Sequence, residues 1–163
     1  MRRSAGNPFT EIAGRRWRFC WTLLISSCAL LQPNHHHHAQ VEYALSILRD
    51  RREEMFVATQ NFIEFWVVAT RPAGATNGLG MTSDEAGEVL GAFEDLYAKL
   101  SEPYGLFAEW KKLVTTHKVS GKSAHDARLA ATMKLNGIGR ILTFNVTDFA
   151  RFDGIAAIHP NSI

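Results

Sequence analysis

The chain has little cysteine, little proline and no apolar run of membrane-spanning length, and each scarcity removes a class of protein. Its two cysteines, Cys20 and Cys28, are too few for a disulfide scaffold and fit no zinc-ligand spacing. Five prolines and 12 glycines in 163 residues, with 46% of the chain hydrophobic and 21% charged, exclude collagen-like and disordered classes. The apolar run Phe19–Leu31 (FCWTLLISSCALL) is too short to cross a bilayer. There is no HExxH and no GxSxG, so zincin and hydrolase-elbow readings have no support. Gly74, Gly78 and Gly80 match neither GxGxxG nor a Walker loop, and read as a connector. What remains is one compact soluble domain.

Acidic residues are also scarce at the start of the chain. Residues 1–40 hold Arg2, Arg3, Arg15, Arg16 and Arg18 against Glu11 alone, a charge of +4, which leaves −2 on the rest. The pI of 8.7 therefore belongs to the N-terminal segment and makes no whole-chain case for nucleic-acid binding. Arg15, Arg16 and Arg18 ahead of the apolar run resemble a short signal peptide, with ISSC as a lipoprotein-like ending. The competing reading is a buried first strand of a parallel sheet, which the sequence that follows requires. The expected division is a basic N-terminal extension over residues 1–21 and a domain over 22–163.

Strand and helix patterns then alternate. Residues 39–52 carry Val41, Ala44, Leu45 and Leu48 at helical spacing, and Met55–Ala58 is a short apolar strand. Thr59–Thr70 (TQNFIEFWVVAT) is a helix opened by Thr59 as N-cap and stopped by Arg71-Pro72. A helix start at Thr82-Ser83-Asp84-Glu85 runs to about Leu100. Gly105–Lys118 is a helix with Phe107, Trp110, Leu113 and Val114 on one stripe, and Ser123–Asn136 is another, closed by Gly137. Ile141–Phe144 and Ile155–Ile158 are strands. Strands separated by helices give an α/β fold with a parallel sheet covered on both faces.

Two features bear on chemistry. Four consecutive histidines, His35–His38, cannot all face one ion, and read as a solvated loop. More telling are three acids that such a fold brings to one end of its sheet, where ligands of open α/β sheets gather. Glu64 lies among Phe62, Phe65 and Trp66; Asp126 lies in the first turn of SAHDARLAA; Asp148 follows ILTF, with Asn145 three residues earlier. Singly these read as an ion pair to an arginine, a helix-dipole acid and a turn residue. Together they suit one or two hard cations, Mg²⁺ or Mn²⁺.

The segments NFIEFWVVATRP, GKSAHDARLAA and ILTFNVTDFARF, in this order, resemble PIN-domain proteins of the VapC-like toxin type over about Gln32 to Pro160. The resemblance implies a three-layer α/β/α sandwich with a central parallel sheet. It also implies a Mg²⁺- or Mn²⁺-dependent endoribonuclease, the toxin component of a type II toxin–antitoxin system. That activity brings an RNA substrate, a small antitoxin partner, a homodimer and a cytoplasmic location away from any membrane. By the same resemblance Glu64, Asp126, Asn145 and Asp148 are the catalytic set, and Asp126, Glu64 and Asp148 the metal ligands. Lys122, His125 and Arg128 flank Asp126 and could meet phosphate, or be plain solvated residues of a helix start. Trp66 and Trp110 suit an interface or a core equally.

One departure cuts across the resemblance. The family's first strand ends in Asp-Thr-Asn or similar, and this chain has no Asp before Asp50. The corresponding region reads WTLLISSCALLQPN, so activity is expected to be impaired. The alternative is an inactive PIN-fold module that binds an antitoxin-like protein or RNA. Codon structure offers an explanation. Read from the third base of the Cys20 codon, Cys-Trp-Thr yields Leu-Asp whatever synonymous codons are used. Residues up to Cys28 or Ala29 would then be a shifted-frame reading of a PIN start, which the nucleotide sequence upstream of codon 30 decides.

Overall fold

A computed structural model describes residues 19–21, 35–75 and 78–163. In chain order the elements are β1 (Phe19–Trp21), α1 (His38–Asp50), β2 (Met55–Val57), α2 (Thr59–Thr70), α3 (Ser83–Leu96) and β3 (Ala98–Lys99). They continue with α4 (Leu106–Thr116), α5 (Ser123–Leu135), β4 (Arg140–Leu142), α6 (Val146–Phe149), β5 (Ala156–Ile158) and a 3₁₀ turn (Pro160–Ser162). Among the described residues the five strands are all parallel, in the order β3-β2-β1-β4-β5. The expected three-layer arrangement is the one observed.

β2 and β4 are covered from both sides, and their alternation shows it. Val57 and Leu142 pack into one core with Val41, Leu48 and Phe65. Their chain neighbours Phe56 and Ile141 turn to the other, against Leu129, Met133 and Phe152. Successive strand side chains point to opposite faces, so three residues suffice to feed both layers. The helices α1, α2 and α3 supply the first layer, and α4, α5 and α6 the second.

Several local expectations need correction. The first strand falls on Phe19–Trp21, at the opening of the apolar run. These residues, assigned by sequence to the extension, form the middle of the sheet, with Trp21 in register with both Val57 and Leu142. Residues 22–31, where the sequence reading puts the first strand, lie outside the described residues. The helix read to Leu100 stops at Leu96. Tyr97 turns the backbone extended, and Ala98–Lys99 becomes an edge strand whose pairing continues as the Leu100 N–H donates to the Val57 carbonyl at 2.8 Å. No Gly or Pro marks this switch, and a lysine on an edge strand is a common guard against further pairing.

The N-cap of α2 is Ala58 rather than Thr59. Ala58 is the extended residue, and its N–H donates to the Asn61 side chain at 3.0 Å. At α3 the reading holds: Thr82 accepts from the Glu85 N–H at 3.2 Å, while Glu85 returns a bond to the Thr82 N–H at 2.8 Å. Gly137 closes α5 at φ +68°, a conformation that costs glycine little.

Candidate active site

Each expected acid reaches the carboxyl edge of the sheet on a different element. β2 ends at Val57 and leads through Ala58 directly into α2, whose second turn carries Glu64. β4 ends at Leu142, and the chain passes through Thr143 and Phe144 to Asn145, the N-cap residue of α6. The Asn145 N–H donates to Thr143 Oγ1 at 3.0 Å, and the Asp148 N–H to the Asn145 carbonyl at 3.2 Å. Asp148 therefore sits in a helical turn rather than the loop turn expected for it. Asp126 stands in the first turn of α5.

Electrostatics ties three of the four together. Burial, then the neighbouring carboxylates of Asp148 and Glu64, push Asp126 up to about 6, against the lowering influence of His125 and Arg151. A first-turn acid is ordinarily favoured by the helix dipole, so here burial and like charge win. Asn145 is exposed on the same connection as Asp148 and adds an amide in place of a charge.

A residue that sequence reasoning passed over holds this arrangement. Gln60 is 6% exposed on α2. Its Nε2 donates to Glu64 Oε1 at 2.8 Å and to the His125 carbonyl at 2.9 Å, and its Oε1 accepts from Arg128 Nη1 at 3.2 Å. One amide thus clamps the start of α5 against α2, bringing Asp126 within electrostatic reach of Glu64. The signal was a polar residue on the inward side of an apolar helix, one turn before Glu64. Arg128 proves engaged as well: Nη2 donates to Glu102 Oε1 at 2.7 Å. Of the three basic flanking residues, only Lys122 and His125 stand exposed. Glu64 is bonded by Gln60 rather than by an arginine. Trp110 donates from Nε1 to the Ala124 carbonyl at 3.0 Å, whereas Trp66 is 37% exposed beside Ile63 and Val67.

The donors suit a hard divalent cation in kind: all are carboxylate oxygens, and their mutual repulsion is what such an ion relieves. Among the described residues no three His, Cys, Asp or Glu side chains converge as a closed ligand set. Mg²⁺ does not require one, since it is commonly held by one or two carboxylates, with water and substrate phosphate completing the shell. Asp126 with either Glu64 or Asp148 matches that open mode in kind, and the three need not bind at once. The side chains beyond the carboxyl end of β1 lie outside the described residues.

No family model and no curated protein matches the chain. Solved structures do. VapBC2 from Rickettsia felis, bound to a DNA fragment from their promoter, is similar at TM-score 0.63 and 11% identity, over 88% of this chain and 98% of that one. VapBC-1 from nontypeable Haemophilus influenzae gives 0.60 and 13%, over 89% and 98%. FitAcB from Neisseria gonorrhoeae gives 0.56 and 18%, over 89% and 99%. At these identities the likeness is one of fold, and the chain has the PIN-type α/β/α fold found in these toxin–antitoxin structures.

Proposed function

We propose that the protein is a Mg²⁺- or Mn²⁺-dependent endoribonuclease acting as the toxin of a type II toxin–antitoxin pair. The observation that carries this reading is the position of Asp126, crowded by Glu64 and Asp148 at the carboxyl edge of a parallel sheet. Carboxylates assembled against their own repulsion suit cation binding. Asp126, Glu64 and Asp148 are the ligands available to the ion, one or two at a time, with water and substrate phosphate completing its shell. When bound, it supplies an activated water and positive charge toward the phosphodiester. Gln60 keeps the Glu64 carboxylate turned toward α5, and Asn145 offers an exposed amide to the substrate. Lys122 and His125, exposed beside Asp126, suit the phosphate backbone.

A small antitoxin is the partner this reading assigns, by likeness to the toxin–antitoxin complexes above, and a homodimer is the assembly. Among the described residues no helix is long and apolar enough to cross a membrane. The reading assigns the pair to the cytoplasm, as its likeness to toxin–antitoxin complexes suggests. The test is cleavage of single-stranded RNA by the purified full chain. Cleavage should need Mg²⁺ or Mn²⁺, stop with EDTA, and fall about a hundredfold or more in Asp126→Asn. Cleavage that persists in EDTA or in Asp126→Asn would overturn it.

A second reading, an inactive PIN-fold module binding RNA or an antitoxin-like protein, is favoured by one observation: no Asp precedes Asp50. RNA binding without cleavage in either metal would select it.

A further inference from the structure

The histidine tetrad is not a loose loop. The rings of His35 and His36 stack with centroids 4.5 Å apart, His36 and His37 lie at 3.9 Å, and His37 stacks on Phe144 at 4.1 Å. Phe144 meets His159 edge-on at 5.2 Å. Five rings from three separate segments thus form one continuous array. Phe144 anchors it, half-buried against the core that holds Leu142, while His36 is exposed.

Three of the rings are held by hydrogen bonds before any ligand arrives. His37 Nδ1 is 2.8 Å from Gln40 Oε1, and the His37 N–H donates to His35 Nδ1 at 3.2 Å. His159 Nδ1 accepts from the Asn161 N–H at 3.1 Å. Rings held in this way lose little freedom on binding. The array is not arranged as a metal centre, since among the described residues no three His, Cys, Asp or Glu side chains are placed to hold an ion. Burial, followed by the neighbouring charges of His36, His37 and His38, lowers His35 from its ordinary value.

Its position gives that surface a use. Phe144 directly precedes Asn145, and His159 directly follows β5, so the array lies at the same carboxyl edge as Asp148. We propose that the array of His35, His36, His37, Phe144 and His159 is a stacking platform for unpaired bases of single-stranded RNA, beside the acidic group. Imidazole and phenyl rings are standard partners for splayed bases, and stacking tolerates any base. This rests on the nuclease reading for its substrate, and deepens it by naming where the bases lie.

The test measures binding without chemistry. The full chain, in EDTA, is titrated against a fluorescein-labelled single-stranded RNA of mixed sequence, with a 2-aminopurine version reporting stacking. The double variant His36→Ala/His37→Ala should bind about tenfold more weakly and lose the 2-aminopurine quench, since one stacked base accounts for roughly 1–3 kcal/mol. His36→Phe/His37→Phe, which keeps the rings, should retain both affinity and quench. Thermal melts confirm that both variants fold. Wild-type affinity in the alanine pair, loss in the phenylalanine pair equal to that in the alanine pair, or no RNA binding by the wild type each overturns the proposal. RNA binding that depends on the rings in a chain that never cleaves would sustain the platform while defeating the nuclease reading.

Discussion

Asp126 concentrates the chemistry at the scale of single residues. Its carboxyl, ordinarily near 3.8, is held up to about 6 by burial first and by Asp148 and Glu64 next. A raised folded-state value means that the folded protein binds the proton more tightly than the unfolded chain. The stability gained is fully present below about pH 3.8 and is lost as pH rises through 6. Without metal, Asp126→Asn should therefore be more stable than wild type at pH 7.5, by about 1–2 kcal/mol after allowing for partial exposure. The difference should shrink toward zero by pH 4. Urea unfolding across this range checks it, and a constant difference at all pH would mean the carboxylate is unstrained.

Gln60 acts at the boundary between residue and element, because two of its three hydrogen bonds join α2 to α5 and the third holds Glu64 within α2. Gln60→Ala removes the amide that Arg128, Glu64 and the His125 carbonyl share. Leaving such groups short of partners costs about 1–3 kcal/mol, readable as a lower urea midpoint with an unchanged slope. A neutral result would mean that water replaces the amide. The cap at α3 is a simpler element-scale case: Thr82→Ala should cost about 1 kcal/mol, with both bonds between its hydroxyl and Glu85 lost. Elements with a strong periodicity or cap were legible in the sequence: α2 keeps its expected bounds, and α5 begins where SAHDARLAA does. The edge strand β3 was not, because two exposed residues carry no apolar alternation to read. β1 was displaced within its apolar run, since continuous hydrophobicity marks a buried segment without fixing which three residues pair.

At the scale of the whole molecule, the sheet order places the ends of β2 and β4 on either side of β1. That topology is why acids distant in sequence gather at one edge. The three carboxylates could be proposed from spacing and resemblance, and Asp126 does feel the other two. The engagement of Arg128 and the ring array depend on contacts between distant segments that no local pattern encodes, and Gln60 left only its own polarity on an apolar helix as its signal. The scarcity of acids before Asp50 takes on a definite meaning here: the central strand brings no acid of its own to an edge where its neighbours' helices bring three.

The central claim is that Glu64, Asp126 and Asp148 act as one cation-binding group despite that lack. Isothermal titration of Mn²⁺ into the full chain at pH 7.5, compared with Asp126→Asn, tests it most directly. The account predicts saturable binding by the wild type that is lost in the variant, accompanied by a rise in wild-type thermal stability with Mn²⁺ concentration. No measurable heat from the wild type, or equal binding by the variant, would contradict it.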